Sequence, residues 1–94
     1  MAEIVWAQIA KNDLQDIYDY ISLDSERYAL NVIDKIVERT EILSKHPMTG
    51  KIVPEFGQKE IREVIEGNYR IIYYLETENR IQIIRVHHGA RLLK

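Results

Sequence analysis

The stretch IREVIEGNYRIIYYLETENRIQIIRVHHGARL, residues 61–92, contains most of the predicted sheet and most of the candidate functional residues. Its Ile-, Val- and Tyr-rich segments predict three strands, at residues 61–66, 69–76 and 81–88, because these residues suit a pleated, half-buried surface. Gly67 and Asn68 tolerate positive φ and predict a two-residue hairpin turn. Residues 77–80 predict a polar four-residue loop, so the three strands form an antiparallel meander.

Cationic side chains are frequent within and just after these strands. They are Arg62, Arg70, Arg85, His87, His88 and Arg91. A sheet needs only one apolar face to build its core, so this pattern predicts a second, open face with another use. Because side chains alternate along a strand, His87 and His88 are expected on opposite faces.

The first part of the chain predicts a strand followed by a helix. Residues 3–6 (EIVW) are short, apolar and typical of a strand. From about residue 8, apolar residues recur at spacings of three and four, which indicates a helix with one buried stripe. Asp13 and Asp16 are expected to face water, and Tyr18 and Tyr20 to pack at the seam between helix and sheet.

A second, longer helix is predicted after the break at residues 22–25. Asp24 or Ser25 suits its N-cap, and the helix ends by His46 because the residue before a proline disfavours the α region. Residues 47–50 predict a turn. A short strand is expected around Ile52 and Val53.

The predicted fold is α+β, in the order β-α-α-β-β-β. An antiparallel helix hairpin packs on one face of a small, mainly antiparallel sheet, which gives two layers. The buried positions of the two helical stripes are expected to include Leu14, Ile17, Val32, Ile36 and Val37. A length of 94 residues predicts one domain, residues 1–94.

Composition narrows the classes of function. No apolar run approaches 18 residues and no signal-peptide pattern opens the chain, so no membrane partner is expected. The absence of cysteine fits a cytoplasmic protein. No His, Asp or Glu cluster has metal-ligand spacing and no Gly-rich phosphate loop is present, so neither a metal nor a cofactor is expected.

Charge divides the chain into an acidic and a basic half. Residues 1–50 have 5 Lys and Arg against 9 Asp and Glu, and residues 51–94 have 8 against 6. This asymmetry allows an anionic partner on the sheet. The net charge of −2 is nevertheless far from the strong basicity of a dedicated nucleic-acid binder.

Four segments together resemble the RelE/ParE superfamily of bacterial toxins. They are IVWAQIAKNDLQDIYDYI, HPMTGK, IREVIEGNYRIIYYL and IIRVHHGARLL, and the closing HHGAR is typical of the ParE-like branch. The resemblance implies the toxin of a type II toxin–antitoxin module, often described as a plasmid stabilisation protein. It also implies a cognate antitoxin that wraps and neutralises the toxin, and it allows higher-order toxin–antitoxin complexes.

The superfamily offers two mechanisms of growth inhibition. RelE-like members cleave messenger RNA on the ribosome, which would require an acid or base and cations around the phosphate. His87 would then be the acid or base, with Arg85 and Arg62 as the cations. Those nucleases place a Glu where this chain has Thr49.

ParE-like members poison DNA gyrase and need no proton-transfer group. In that case Arg70, Arg91, Lys51 and His88 are the expected target-binding residues. The sequence favours this mechanism, because Thr49 replaces the acidic residue and the chain is not basic. A non-toxic interaction module of the same fold is the third alternative.

The strand arginines also have a purely structural interpretation. Arg62 and Arg70 lie near Glu60, Glu63 and Glu66 in the predicted strands. Ion pairs between neighbouring strands would account for both arginines without any ligand.

Overall fold

The computed structural model describes residues 1–89, which form a two-layer α+β fold. The elements are β1 Glu3–Trp6, α1 Gln8–Ser22, α2 Glu26–Ile42, β2 Lys51–Ile52, β3 Ile61–Glu66, β4 Tyr69–Thr77 and β5 Arg80–His88. The strands form one five-stranded sheet in the order β1-β5-β4-β3-β2. β1 runs parallel to β5 and the other neighbouring pairs are antiparallel. The predicted architecture is therefore confirmed.

Several element boundaries differ from the prediction. Thr77 and Arg80 pair with each other, so only two residues separate β4 from β5 and the predicted four-residue loop is wrong. Helix α2 ends at Ile42, which agrees with the prediction that it ends by His46, and hydrogen-bonded turns carry the chain onward. The short strand β2 begins one residue earlier than expected, because Lys51 and Ile52 pair with β3.

Two local signals in the sequence act as expected. Ser25 is the N-cap of α2, and its hydroxyl accepts a hydrogen bond from the Tyr28 amide at 3.1 Å. Gly67 turns the β3–β4 hairpin with a φ of 58°. No non-glycine residue among residues 1–89 has a positive φ, so Asn68 does not share this conformation.

The two helices cover one face of the sheet and bury its apolar side chains. The fully buried centre includes Ile36 of α2 together with Ile71, Tyr73, Ile81 and Ile83 of the sheet. Burying a side chain of this size contributes on the order of 2 kcal/mol to stability. The sheet face and the helix pair thus build a common core.

The predicted helical stripes lie on the buried side. Leu14, Ile17 and Val32 are partly buried against the core, and Val37 is partly buried as well. Tyr20 differs, because 77% of its surface is exposed. The expectation that Tyr20 packs at the helix–sheet seam is wrong.

The opposite sheet face is partly covered by the chain itself. Ile72 alternates with Ile71 and so points away from the helices, yet it is fully buried. Val53, just after β2, is also fully buried. Because Glu55 of the same segment reaches Arg70 on β4 at 2.8 Å, the chain between β2 and β3 lies over this face.

A buried tyrosine hydroxyl holds the turn between α2 and β2. Tyr73 donates a hydrogen bond to the Pro47 carbonyl at 2.7 Å and accepts one from the Gly50 amide at 2.9 Å. The fit is close, since a Cβ on Gly50 would lie 2.6 Å from the Glu63 carbonyl oxygen. The Tyr73 hydroxyl therefore satisfies two backbone groups at once.

No helix within residues 1–89 combines the length and the apolar character that crossing a membrane requires.

Replacing Tyr73 with Phe should lower the free energy of unfolding by about 1–3 kcal/mol, because the buried Gly50 amide loses its acceptor. Tyr74→Phe is the matched control, since the Tyr74 hydroxyl makes no hydrogen bond within residues 1–89. Urea denaturation of both variants measures the difference. Equal stabilities of the two variants would contradict this account of the turn.

The same hydroxyl predicts a loss of stability in alkali. Burial raises the pKa of Tyr73 above its usual value of 10.0, so folding favours the protonated phenol. Its contribution is complete below pH 10.0 and is lost as the pH rises through the higher folded pKa. Unfolding measured from pH 8 to 11 should therefore show the stability gap between wild type and Tyr73→Phe narrowing above about pH 10.

Candidate functional site

A groove of about 490 Å³ lies between α1 and the C-terminal end of β5. We refer to it as the α1–β5 groove. It is lined by Asp13, Asp16, Ile17 and Tyr20 of α1, Tyr69 of β4 and residues 85–88 of β5. The groove thus brings together three of the candidate residues, which are Arg85, His87 and His88.

The groove exists because the parallel strand pair is short. β1 pairs with β5 only as far as Trp6 and Ile83, and the Ala7 amide donates to the Ile83 carbonyl at 2.9 Å. The β4–β5 register then shifts by one residue beside Ile72 and Tyr73. Such bulges redirect side chains and are frequent next to functional sites. β4 still pairs with one edge of β5 beyond this point, and α1, not another strand, lies along the other edge.

Asp13 joins α1 to this end of β5. Its carboxylate accepts hydrogen bonds from Arg85 Nε at 2.9 Å, Arg85 Nη2 at 3.2 Å and the Val86 amide at 2.9 Å. The hydrogen bond that Arg85 donates to Asp13 raises the pKa of Arg85. With its side chain only 13% exposed, Asp13 does not face water as expected. The expectation is wrong because its partner is 72 residues away in sequence.

The two histidines take opposite sides of the sheet, as strand alternation predicts. His87 pairs with Arg70, which points away from the helices, and His88 pairs with Tyr69 on the helix side. The rings of Tyr69 and His88 meet edge to face, with centroids 5.7 Å apart and planes at 84°. Both histidines border the α1–β5 groove because it lies at the end of the sheet.

Arg70 is held by two carboxylates. Its guanidinium bonds Glu63 at 3.0 and 2.7 Å and Glu55 at 2.8 and 3.0 Å, in a two-pronged contact with each. These hydrogen bonds raise the pKa of Arg70. The side chains of Arg70 and Glu63 are 11% and 3% exposed. The ion-pair interpretation of Arg70 therefore describes the observed contacts.

Arg62 and Lys51 lie elsewhere. Arg62 donates to the Lys59 carbonyl at 3.0 Å and to the Gly50 carbonyl at 2.9 Å. It therefore supports the turn before β2 and the turn before β3. It bonds backbone groups, and not the glutamates considered above. Lys51 is exposed on β2. Neither residue lines the α1–β5 groove, and Arg91 lies outside the described residues.

The sequence reasoning missed four groove residues as site candidates. Asp13, Asp16 and Tyr20 follow the helical spacing of three and four and so share one side of α1. Tyr69 comes to the same place from β4. The helical spacing was a usable signal for the first three, but their meeting with β5 depends on the tertiary fold.

Within residues 1–89, no group of three or more His, Asp or Glu side chains could hold a metal ion.

Comparison with known proteins identifies consistent similarities. A family model described as "ParE toxin of type II toxin-antitoxin system, parDE" matches residues 4–93. The protein named Toxin RelE2 from Caulobacter vibrioides is 28% identical over 92 residues, which cover 98% of this chain and 100% of that protein.

Two solved structures have the same fold. The structure described as a chromosomal ParDE toxin–antitoxin system from P. aeruginosa matches with a TM-score of 0.76 and 25% identity, over 94% of this chain and 96% of that one. A chain of the toxin–antitoxin complex RelBE2 from Mycobacterium tuberculosis matches with a TM-score of 0.67 and 22% identity. That match covers 93% of this chain and 96% of the other, and it shows the fold alone.

Replacing Arg70 with Ala should lower the free energy of unfolding by about 3 kcal/mol, because it leaves the Glu63 carboxylate buried without its partner. Arg80→Ala is the matched control. Arg80 also contacts two glutamates, Glu3 and Glu76, but its side chain is 47% exposed. Its loss should cost less than about 1 kcal/mol.

Thermal and urea unfolding of the two variants measure this difference. Similar losses for Arg70→Ala and Arg80→Ala would show that the pairing with Glu63 does not support the sheet.

Proposed function

We propose that this chain, which belongs to the ParE toxin family of type II toxin–antitoxin systems, inhibits growth by binding DNA gyrase and is silenced by a cognate antitoxin. In this proposal the toxin contributes a binding surface and no catalytic site of its own. The observation that carries it is the Asp13 carboxylate on the Arg85 guanidinium. A ribonuclease would need a cation that is free to bind the phosphate, whereas Arg85 is already paired with Asp13.

The electrostatics of the α1–β5 groove support a non-catalytic role. Cleavage of RNA by its own 2′-hydroxyl builds negative charge on the phosphate, and catalysts stabilise that charge with aimed cations or hydrogen-bond donors. Here Asp13 and Asp16 line the same groove as His87. Two carboxylates disfavour an approaching phosphate, and one of them already binds Arg85, the arginine that lines this groove.

The arginine proposed as a second catalytic cation is also engaged elsewhere. Arg62 donates to two backbone carbonyls, those of Gly50 and Lys59, and does not line the groove with His87. The net charge of −2 also disfavours RNA cleavage on the ribosome, because binding to ribosomal RNA draws most of its affinity from phosphate contacts.

We assign the gyrase contact to the C-terminal end of the chain and its surroundings. His88 and Arg91 are its proposed contact residues, and exposed Lys51 is a more distant contributor. Arg70 is a candidate as well, but its guanidinium would have to leave Glu55 before meeting a new partner. A cytoplasmic location follows from this target, since gyrase acts on the chromosome.

An antitoxin partner fits the family and the ParDE structure, which is described as a toxin–antitoxin system. In this proposal the antitoxin acts by covering the surface that meets gyrase. Higher-order assembly of the pair is compatible with that role.

RNA cleavage on the ribosome is the second candidate. One observation favours it, namely that His87 and Arg85 line a common groove. In that case His87 would transfer a proton, and Arg85 would exchange Asp13 for the phosphate.

Removing residues 91–94 should abolish growth inhibition and the accompanying chromosomal DNA breaks, whereas His87→Ala should leave both within about twofold of wild type. A ribonuclease would instead lose about 10²-fold or more of its activity in His87→Ala. Induction of each variant in cells, followed by scoring of DNA breaks and messenger cleavage, measures both outcomes.

His46→Ala is the matched control, because His46 is exposed and lies outside the α1–β5 groove. Antitoxin binding and melting temperature verify that each variant folds. Messenger cleavage that disappears in His87→Ala but persists in His46→Ala would contradict the gyrase proposal and support the second candidate.

A further inference from the structure

The α1–β5 groove has the features of a site for a cationic side chain. Asp16 follows Asp13 by one helical turn and lies on the same side of α1. Asp13 is engaged by Arg85 and the Val86 amide. The exposed Asp16 carboxylate makes no hydrogen bond or ion pair within residues 1–89. The groove therefore has one carboxylate that is already used and one that is available.

Aromatic rings accompany the available carboxylate. Tyr20, one helical turn beyond Asp16, is 77% exposed, and Tyr69 lies beside it with its ring against His88. Tyr69 also lines a neighbouring groove that contains Tyr28, so three tyrosines lie at this end of the molecule. Leu23 and Tyr28 at the tip of the helix hairpin are also exposed. An exposed apolar and aromatic patch of this kind marks an interaction surface.

The chemistry of the groove selects among partners. A nucleic acid backbone would bring phosphates against Asp13 and Asp16. A second copy of this chain would bring its own acidic α1 against the same face, and like charges across an interface oppose association. A planar guanidinium suits both the carboxylate and the aromatic ring of the groove. It can pair with a carboxylate through two hydrogen bonds and stack on an aromatic ring.

We propose that the α1–β5 groove binds an arginine side chain of the cognate antitoxin, with its guanidinium between the Asp16 carboxylate and the Tyr20 ring. The inference rests on the proposed function, in that it assumes an antitoxin partner. It adds the residues that recognise that partner and the chemistry of the segment they accept.

The position of the groove explains why an antitoxin, and not the target, would fill it. The groove ends at His88, directly before the C-terminal residues that we assign to gyrase. A segment anchored there would extend over the start of that surface. Neutralisation would then follow from overlap, without any change in the fold of the toxin.

The test compares the affinities of four toxin variants for the purified cognate antitoxin. Asp16→Asn and Tyr20→Ala should each weaken binding about tenfold, and Asp16→Arg about a hundredfold. Asp34→Arg is the matched control, because Asp34 is also an exposed aspartate, lies on α2 and lines neither this groove nor a neighbouring one. Its affinity should stay within about twofold of wild type. Melting curves should show all four variants folded.

A charge exchange identifies the bound residue. Each arginine of the antitoxin is changed in turn to Glu and titrated against wild-type toxin and Asp16→Arg. One of these antitoxin variants should bind Asp16→Arg at least tenfold more tightly than it binds wild-type toxin.

The outcomes separate this inference from the function it rests on. Failure of wild-type toxin to bind the antitoxin would overturn the proposed function and the inference together. Normal binding by wild type, Asp16→Arg and Tyr20→Ala alike would overturn the inference alone. Loss of toxicity in Asp16→Arg with unchanged antitoxin binding would also overturn it, because the groove would then serve the target.

Discussion

The contact between the Asp13 carboxylate, the Arg85 guanidinium and the Val86 amide determines how this end of the molecule is used. β1 stops pairing with β5 at Ile83, and Asp13 then supplies the acceptor that a further strand residue would have provided. A carboxylate that meets a cation and a backbone donor together makes stronger hydrogen bonds than a neutral acceptor. The contact therefore fixes α1 against β5, shapes the groove between them and engages the arginine that lines this groove together with His87.

The strand cations divide by the partners that the fold provides. Arg70 and Arg62 hold the segment that covers the second sheet face, the former through Glu55 and Glu63 and the latter through backbone carbonyls. This face is thus less open than its charges suggest, and Ile72 is fully buried there. The accessible functional side chains lie instead at the end of the sheet, in the α1–β5 groove. They are acidic and aromatic, and they suit a protein partner better than an RNA phosphate.

Local signals in the sequence were sufficient for the architecture. Helical and strand periodicities placed β1, α1, α2 and the meander, and Ser25 and Gly67 mark a cap and a turn that depend on a few neighbouring residues. The errors arise where distant residues decide the outcome. The neighbours of Asp13 in sequence are mostly polar and predict an exposed side chain. Asp13 is a partly buried hydrogen-bond acceptor because the fold places Arg85 beside it. The pairing of Arg70 with Glu63 was accessible from strand register, whereas Glu55 follows an irregular segment that no periodicity describes. Tyr20 likewise differs from its expected position at the seam between helix and sheet, because the helix presents it to solvent.

In the proposed function, this toxin acts by binding gyrase and performs no chemistry of its own. To test it, the purified chain is mixed with purified gyrase and supercoiled plasmid, and in parallel with ribosomes translating a defined messenger. Double-strand breaks in the plasmid and cleavage of the messenger are then measured. We expect trapped double-strand breaks in the plasmid to increase with toxin concentration and added antitoxin to suppress them, while the messenger stays intact. Cleavage of the messenger on ribosomes, with gyrase unaffected at the same toxin concentrations, would contradict it.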